Sequence, residues 1–454
     1  MRLTPEEIAA AMGAEVVAEG DPGSPRRAII DSTATEPGDL FFGLQGEKRD
    51  GGDFAGPALR AGAWGVVVST SHSEYATGVS VEEPVGWVFV VRDPLPAMQT
   101  LARTYRRALG ARVVGVTGSV GKTSVKDIAR ALLPGQVHAN RENLNTEIGL
   151  PLTILEAPDD TDLLVLEMAM RGKGQIAELA AIAEPEVAVI TNVGPVHVEL
   201  LGSVAAIAAA KAEILDDLPP GGTAVAPVEA GELEPHLAPI ARQLRFGPGG
   251  DVEASEVKVV DGVTEAVVST PLGSQTFHFP FTESHNLVNA LAAIAAGVAL
   301  GADLAAMADR AASIGFSRFR GERLELPGGI VLVNDCYNAN PVSMRAALDH
   351  LATLGAERTV AVLGEMGELG PGSAGYHREV GEHARAAGVD FVIGVGLPAR
   401  DYDPDELVAD PGEAAELLAA RLEPGDAVLV KGSRSAGLEA VAEALPDLVA
   451  AEQG

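Results

Sequence analysis

Cysteine is almost absent from this chain of 454 residues, Cys336 being the only one. An internal disulfide and a cysteine metal cluster are thereby excluded. Basic residues are scarce as well: 33 Lys and Arg stand against 64 Asp and Glu, a formal charge of −31. Such a surface repels nucleic acid and anionic membranes, so neither is an expected partner. Most of the acidity does no more than keep the chain soluble. An anionic substrate must then be gathered locally, by loops, helix ends, metal ions and a few placed cations. No apolar run approaches the roughly 20 residues that cross a bilayer. The N-terminus, MRLTPEEIAAAM, has acids where an export signal would be basic and apolar. A cytoplasmic protein without membrane insertion is expected.

What the chain does have is length and glycine-punctuated α/β patterning. A chain of this size exceeds one compact core and predicts two to four domains. Its organising stretch is RVVGVTGSVGKTSVKDIARALL, residues 112–133. A β-branched run, Arg112–Thr117, predicts a buried strand. A glycine turn follows over 118–121, and residues 122–133 carry apolar positions at helical spacing. Strand, glycine loop and Gly-Lys-Thr at a helix start form a phosphate cradle, with backbone N–H groups and the helix N-terminus facing the anion. Thr117, Gly118, Ser119, Val120, Gly121, Lys122, Thr123 and Ser124 are its candidate residues. Lys122 would reach the outer phosphates and the Thr123 hydroxyl would ligate Mg²⁺. Val116 stands where the strict phosphate-loop pattern has its first glycine.

Around this stretch the pattern predicts three domains of α/β class. A small N-terminal unit covers 1–92, with a helix over 3–12 and polar loops at 31–33 and 50–54. A central domain with a parallel sheet covers 93–318, and a Rossmann-like domain covers 319–454. In the central part, DLLVLE ends in Glu167 at the carboxyl end of a strand, where Mg²⁺ wants a hard oxygen. The next such strand delivers Asn192 and then His197, which alone could equally be a packing histidine. The amide-rich stretch RENLNTEIGLP (141–151) reads as a loop bonded to its own backbone or as a ligand loop. A helix over 203–218 carries Lys211, ordinarily a solvated residue. Residues 223–282 read as irregular strands, and a helix from Ser284 places Asn286 and Asn289 on one face. In the last domain strands near 330–334, 358–363, 391–395 and 427–430 would bring Asp335, Tyr337, Asn338 and Lys431 to one edge. Lys431 could also be a strand-end surface lysine, and Asn340-Pro341 reads as a helix cap.

Taken in order, TGSVGKTS (117–124), ENLNTEIGLP (142–151), LEMAMRGKGQI (166–176), ITNVGPVH (190–197), AKAEI (210–214) and SHNLVNALAA (284–293) resemble the central motifs of the Mur ligases. NDCYNANPVSM (334–344), LGEMGELG (363–370) and VKGSRSAGLE (430–439) resemble the C-terminal motifs, and DSTATEPGDLFFGLQGEKRDGGDF (31–54) resembles the uridine-binding first domain. The YNANP stretch is similar to that of members adding D-alanyl-D-alanine. The resemblance implies an ATP-dependent, ADP-forming amide ligase, monomeric, acting on UDP-N-acetylmuramoyl-tripeptide and D-alanyl-D-alanine in cell-wall precursor synthesis. It implies that Thr123, Glu167 and His197 hold Mg²⁺ and that Lys211 is a carbamylated lysine among the metal ligands. It also implies that Lys122, Glu167, His197 and Lys211 serve catalysis, and that Asn286, Asn289, Arg323, Asp335 and Tyr337 contact ATP. Ser32, Thr33, Asn143, Asn145, Thr146, Asn338 and Asn340 would face the substrates. Thr33 replaces an arginine usual in the family, and Gly52 a common histidine.

Overall fold

The computed structural model describes residues 1–72, 86–195 and 198–452. Its framework is four sheets. The first has β1 (Glu15–Ala18), β2 (Ala28–Ile29), β3 (Leu40–Phe42), β4 (Gly65–Ser69) and β5 (Trp87–Val91) in the order β1-β5-β4-β3-β2. Only β1 runs antiparallel to its neighbour there. The helix Pro5–Met12 opens the chain with Thr4 as cap in a capping box with Glu7. A second helix, Pro94–Leu109, is started by Asp93 and ended by left-handed Gly110. Met98, Leu101 and Tyr105 on it pack in one core with Trp64, Trp87 and Phe89 of the first sheet and Leu150 and Ile154 beyond. That shared apolar body fixes the first sheet against the second.

The second sheet is fully parallel: β6 (Arg112–Thr117), β7 (Val137–Ala139), β8 (Leu163–Glu167), β9 (Val187–Ile190), β10 (Thr223–Pro227) and β11 (Gln243–Phe246), in the order β11-β10-β9-β6-β8-β7. The chain turns from β6 to one side and then returns to the other, so a crevice opens at the carboxyl ends of β6, β8 and β9. Residues expected to form irregular strands instead give β10 and β11 and a regular antiparallel meander, β12 (Glu253–Val260), β13 (Val263–Thr270) and β14 (Gly273–Phe279). Its inner Phe277 and Phe279 pack against the helix Ser284–Leu300 and the outer face of the parallel sheet. The expected long helix around Lys211 is helical only over Val204–Ala212, followed by a tight turn, Glu213–Leu215.

The last sheet comprises β15 (Glu322–Leu326), β16 (Ile330–Asn334), β17 (Thr359–Leu363), β18 (Phe391–Val395), β19 (Glu406–Val408) and β20 (Ala427–Lys431), ordered β15-β16-β20-β17-β18-β19. All pairs are parallel except β15 with β16. Helices cover both faces, each over its own apolar cluster. No helix among the described residues is long and apolar enough to cross a membrane.

Candidate functional site

The crevice of the second sheet is built around the turn after β6. Gly118 has φ 151° and Gly121 φ 79°. A Cβ at Gly118 would fall 1.9 Å from the Thr191 hydroxyl, and one at Gly121 2.4 Å from Asn289 Oδ1. Backbone and neighbours therefore both demand glycine at these two points. The helix Lys122–Leu132 starts from Gly121 without a side-chain cap, so its first-turn N–H groups remain available to an anion. Not every loop amide does: Ser119 N–H donates to the Asn192 carbonyl at 3.1 Å and Val120 N–H to Asn192 Oδ1 at 3.0 Å. The cradle is thus narrower than the sequence suggests, with Asn192 bracing its floor. Ser124 lies partly exposed in the helix's first turn, and Thr117 is buried under the loop.

Lys122 Nζ folds onto its own loop and donates to the Gly118 carbonyl at 2.8 Å. Burial pushes its pKa down, opposed by the Glu167 carboxylate and reinforced by Arg320. Lys211 donates to the same Gly118 oxygen, also at 2.8 Å, and is only 2% exposed. The solvated-helix reading of Lys211 is thereby corrected. Its pKa lies well below that of an ordinary lysine, first because of burial and then because of Lys122. Two amines thus converge under one glycine turn, the charge of Lys122 disfavouring the charged form of Lys211.

Glu167 closes the other side. Its Oε2 accepts from the Thr123 hydroxyl at 2.8 Å and its Oε1 from Asn145 Nδ2 at 2.8 Å, both beneath the surface. Asn145 is therefore engaged in orienting Glu167, whereas Asn143 and Thr146 of the same loop are exposed. Thr123 and Glu167 place two hard oxygens together at the phosphate-binding helix start, a donor set that suits Mg²⁺. Among the described residues no three His, Cys, Asp or Glu side chains converge as a self-sufficient metal site. His197 lies outside the described residues.

The final sheet faces this pocket. Arg320 stacks on the Tyr337 ring at 4.1 Å, and its buried Nε has no partner among the described residues. Its charge is felt by both Lys122 and Tyr337, and Glu167 is felt by Tyr337 as well. Arg323, the arginine expected here, sits on β15, 46% exposed and 3.8 Å from Glu325, and lines the cavity described below together with Arg320. The stretch FSRFRGER offers three arginines, and only the antiparallel register of β15, which starts at Glu322, separates them. Asp335 accepts from Lys431 Nζ at 2.5 Å. Lys431 is 2% exposed, which corrects its reading as a surface lysine, and it also reaches the Asn338 carbonyl. Asn338 Oδ1 takes the next backbone N–H, from Ala339. Asn340 caps the helix Pro341–Thr353 through Val342 and Ser343 N–H, so its side-chain oxygen is engaged structurally.

Asn286 is buried, donating to Glu283 at 3.4 Å and accepting from Asn289 at 3.2 Å. Beside them lies a cavity of about 330 Å³ whose wall includes Phe281, Thr282, Glu283, Ser317, Arg320 and Arg323. Ser32 and Thr33 lie apart, in the turn after β2, where Asp31 accepts from the Thr33 N–H and hydroxyl. At Gly52 a Cβ would fall 2.6 Å from the His72 ring. A histidine carried by the turn after β4 thus takes the space beside this glycine, held by Ser69 at 3.0 Å.

Residues 116–297 match the Mur ligase middle domain, and residues 319–434 match the Mur ligase glutamate ligase domain. The UDP-N-acetylmuramoyl-tripeptide–D-alanyl-D-alanine ligase of Synechocystis is 38% identical over 91% of this chain and 90% of its own. The enzyme of that name from Escherichia coli is 35% identical over 92% and 93%. Among solved structures, MurF ligase from Thermotoga maritima in complex with ADP is 31% identical, with a TM-score of 0.81 over 94% of this chain and 98% of that one. MurF from Acinetobacter baumannii gives a TM-score of 0.87 at 27% identity, over 98% and 99%.

Proposed function

The chain belongs to the Mur ligase family, and from that premise we propose that it joins D-alanyl-D-alanine to UDP-N-acetylmuramoyl-tripeptide with cleavage of ATP to ADP and phosphate, a step of peptidoglycan precursor synthesis. The observation that carries this reading is the meeting, under one glycine turn, of two buried lysines, Thr123 and Glu167, faced by Arg320 and Tyr337 of the last sheet. That is a site for triphosphate chemistry, and not for a covalent nucleophile.

An amide cannot form directly from a carboxylate, which is a poor electrophile. The tripeptide's terminal carboxylate therefore attacks the γ-phosphate, ADP leaves, and an acyl phosphate forms. The dipeptide's free amine then adds to the acyl carbon, and phosphate leaves. Lys122 shifts from the Gly118 carbonyl to the phosphates, and the open N–H groups of the Lys122–Leu132 helix hold them. Arg320 neutralises charge from the opposite side. The cavity beside Asn286 takes the nucleoside. Thr123 and Glu167 would hold Mg²⁺, which when bound screens the phosphate charge. The turns at Ser32 and Thr33 and at Gly52 with His72 would take the uridine end, and Asp335 and Asn338 the dipeptide.

The comparisons give no support to a carbamate on Lys211. What favours it is local: carbamylation needs a neutral amine, and burial beside Lys122 favours that form. Activity should then fall when CO₂ and bicarbonate are removed and return on their addition. An unchanged rate would leave Lys211 as a plain amine supporting the phosphate loop. The reading as a whole is tested by phosphate release with ATP, Mg²⁺, UDP-tripeptide and D-alanyl-D-alanine, omitting each in turn. Release that does not require the dipeptide would contradict it.

A further inference from the structure

His350 and Glu283 meet across the junction of the second and last sheets, at the wall of the cavity beside Asn286. His350 Nε2 lies 3.4 Å from Glu283 Oε1, with side chains only 8% and 12% exposed. Such burial distinguishes the pair from the surface ion pairs elsewhere on the molecule. His350 sits on the helix Pro341–Thr353, which follows directly on the loop bearing Asp335, Tyr337 and Asn338. Glu283 precedes the helix Ser284–Leu300 and accepts from Asn286, which in turn accepts from Asn289. Asn289 then presses on Gly121 of the phosphate loop. A polar path thus runs from the last domain to the nucleotide pocket.

The same helix touches the central part at a second point, near its start, where a Cβ at Gly194 would lie 3.3 Å from Val342. The two contacts are eight residues apart along a rigid helix, about 12 Å. Two such points on one rigid helix set its tilt against the central part. We propose that the Glu283–His350 contact is an interdomain latch: His350 is a positioning residue that sets the dipeptide-side loop over the phosphate pocket. This rests on the ligase reading for its kinetic test but not for its structural one.

The experiment is a double-mutant cycle with His350→Gln, Glu283→Gln and the pair, following ADP release. His350→Gln should lower kcat about tenfold and raise the dipeptide KM about fivefold, with the ATP KM within about twofold of wild type. The double variant should be no worse than the poorer single one, because the Glu283–His350 contact is lost in each, whatever Glu283→Gln costs separately at Asn286. Hydrogen exchange supplies the readout besides turnover. With a non-hydrolysable ATP analogue and UDP-tripeptide, residues 334–345 should gain protection in wild type and not in His350→Gln. Additive losses in the cycle, or equal protection in wild type and variant, would overturn the latch. So would a His350→Gln loss that tracks a lowered melting temperature. Wild-type protein that compacts and gains protection yet forms no amide would leave the latch standing and contradict the ligase reading instead.

Discussion

At the scale of single residues, charge placement is what decides chemistry here. Arg320 and Arg323 are three positions apart, yet one stacks on Tyr337 beside the phosphate pocket and the other, 46% exposed on β15, lines the cavity beside Asn286. Arg320→Ala should therefore lower kcat by about 10²–10³, the range for losing one charge-stabilising group. Arg323→Ala should cost kcat less and show mainly as a raised ATP KM; the reverse order in a steady-state assay would refute the assignment. Lys211 gives a prediction in pH. Its pKa in the folded protein is depressed, so between that value and the ordinary 10.5 the unfolded chain binds a proton that the native protein does not. Stability then rises with pH through this window, by up to about 1.4 kcal/mol per unit. Lys211→Met should remove that slope and be more stable than wild type at pH 7, even though inactive. Urea midpoints measured across pH in CO₂-free buffer check it; parallel curves for the two proteins would refute the burial cost.

At the scale of elements, the sequence exposes some structure and hides the rest for physical reasons. The strand, glycine turn and helix at 112–132 were legible because each has a local cause: β-branching, positive φ and apolar spacing. The parallel strands of the last sheet were legible for the same reason. The burial of Lys211 was legible only through the family resemblance, since an alanine-rich helix by itself does not say which face meets Gly118. The pairing of Asn145 with Glu167, which brings a loop and a strand end together across 22 residues, was not legible. The meander β12–β13–β14 was misread because its outer strand is largely exposed, with Val257, Val259 and Val260 facing water. The Asn340-Pro341 cap was legible, and it makes a clean test. Asn340→Ala removes two cap bonds and should lower stability by about 1–2 kcal/mol, measured by urea unfolding. A loss under about 0.3 kcal/mol would show that the cap is dispensable.

At the scale of the molecule, a three-part ligase must admit large substrates and then exclude water while an acyl phosphate exists. Among the described residues, contacts between the central part and the last domain include Arg171 with Glu368 at 3.7 Å, Glu199 beside Gly370, Gly194 with Val342, and Glu283 with His350. Such a junction is expected to open and close, with residues 316–322 as the hinge; Phe319 there has φ 64°. Small-angle scattering should show a smaller radius of gyration with ATP analogue and UDP-tripeptide than without, and identical profiles would argue against closure. The central claim, that the tripeptide carboxylate is activated by phosphorylation, is tested most directly by isotope transfer. UDP-tripeptide labelled with ¹⁸O in its terminal carboxylate should, on amide formation with D-alanyl-D-alanine, release phosphate carrying one ¹⁸O atom. Amide product accompanied by phosphate free of the label would contradict the account.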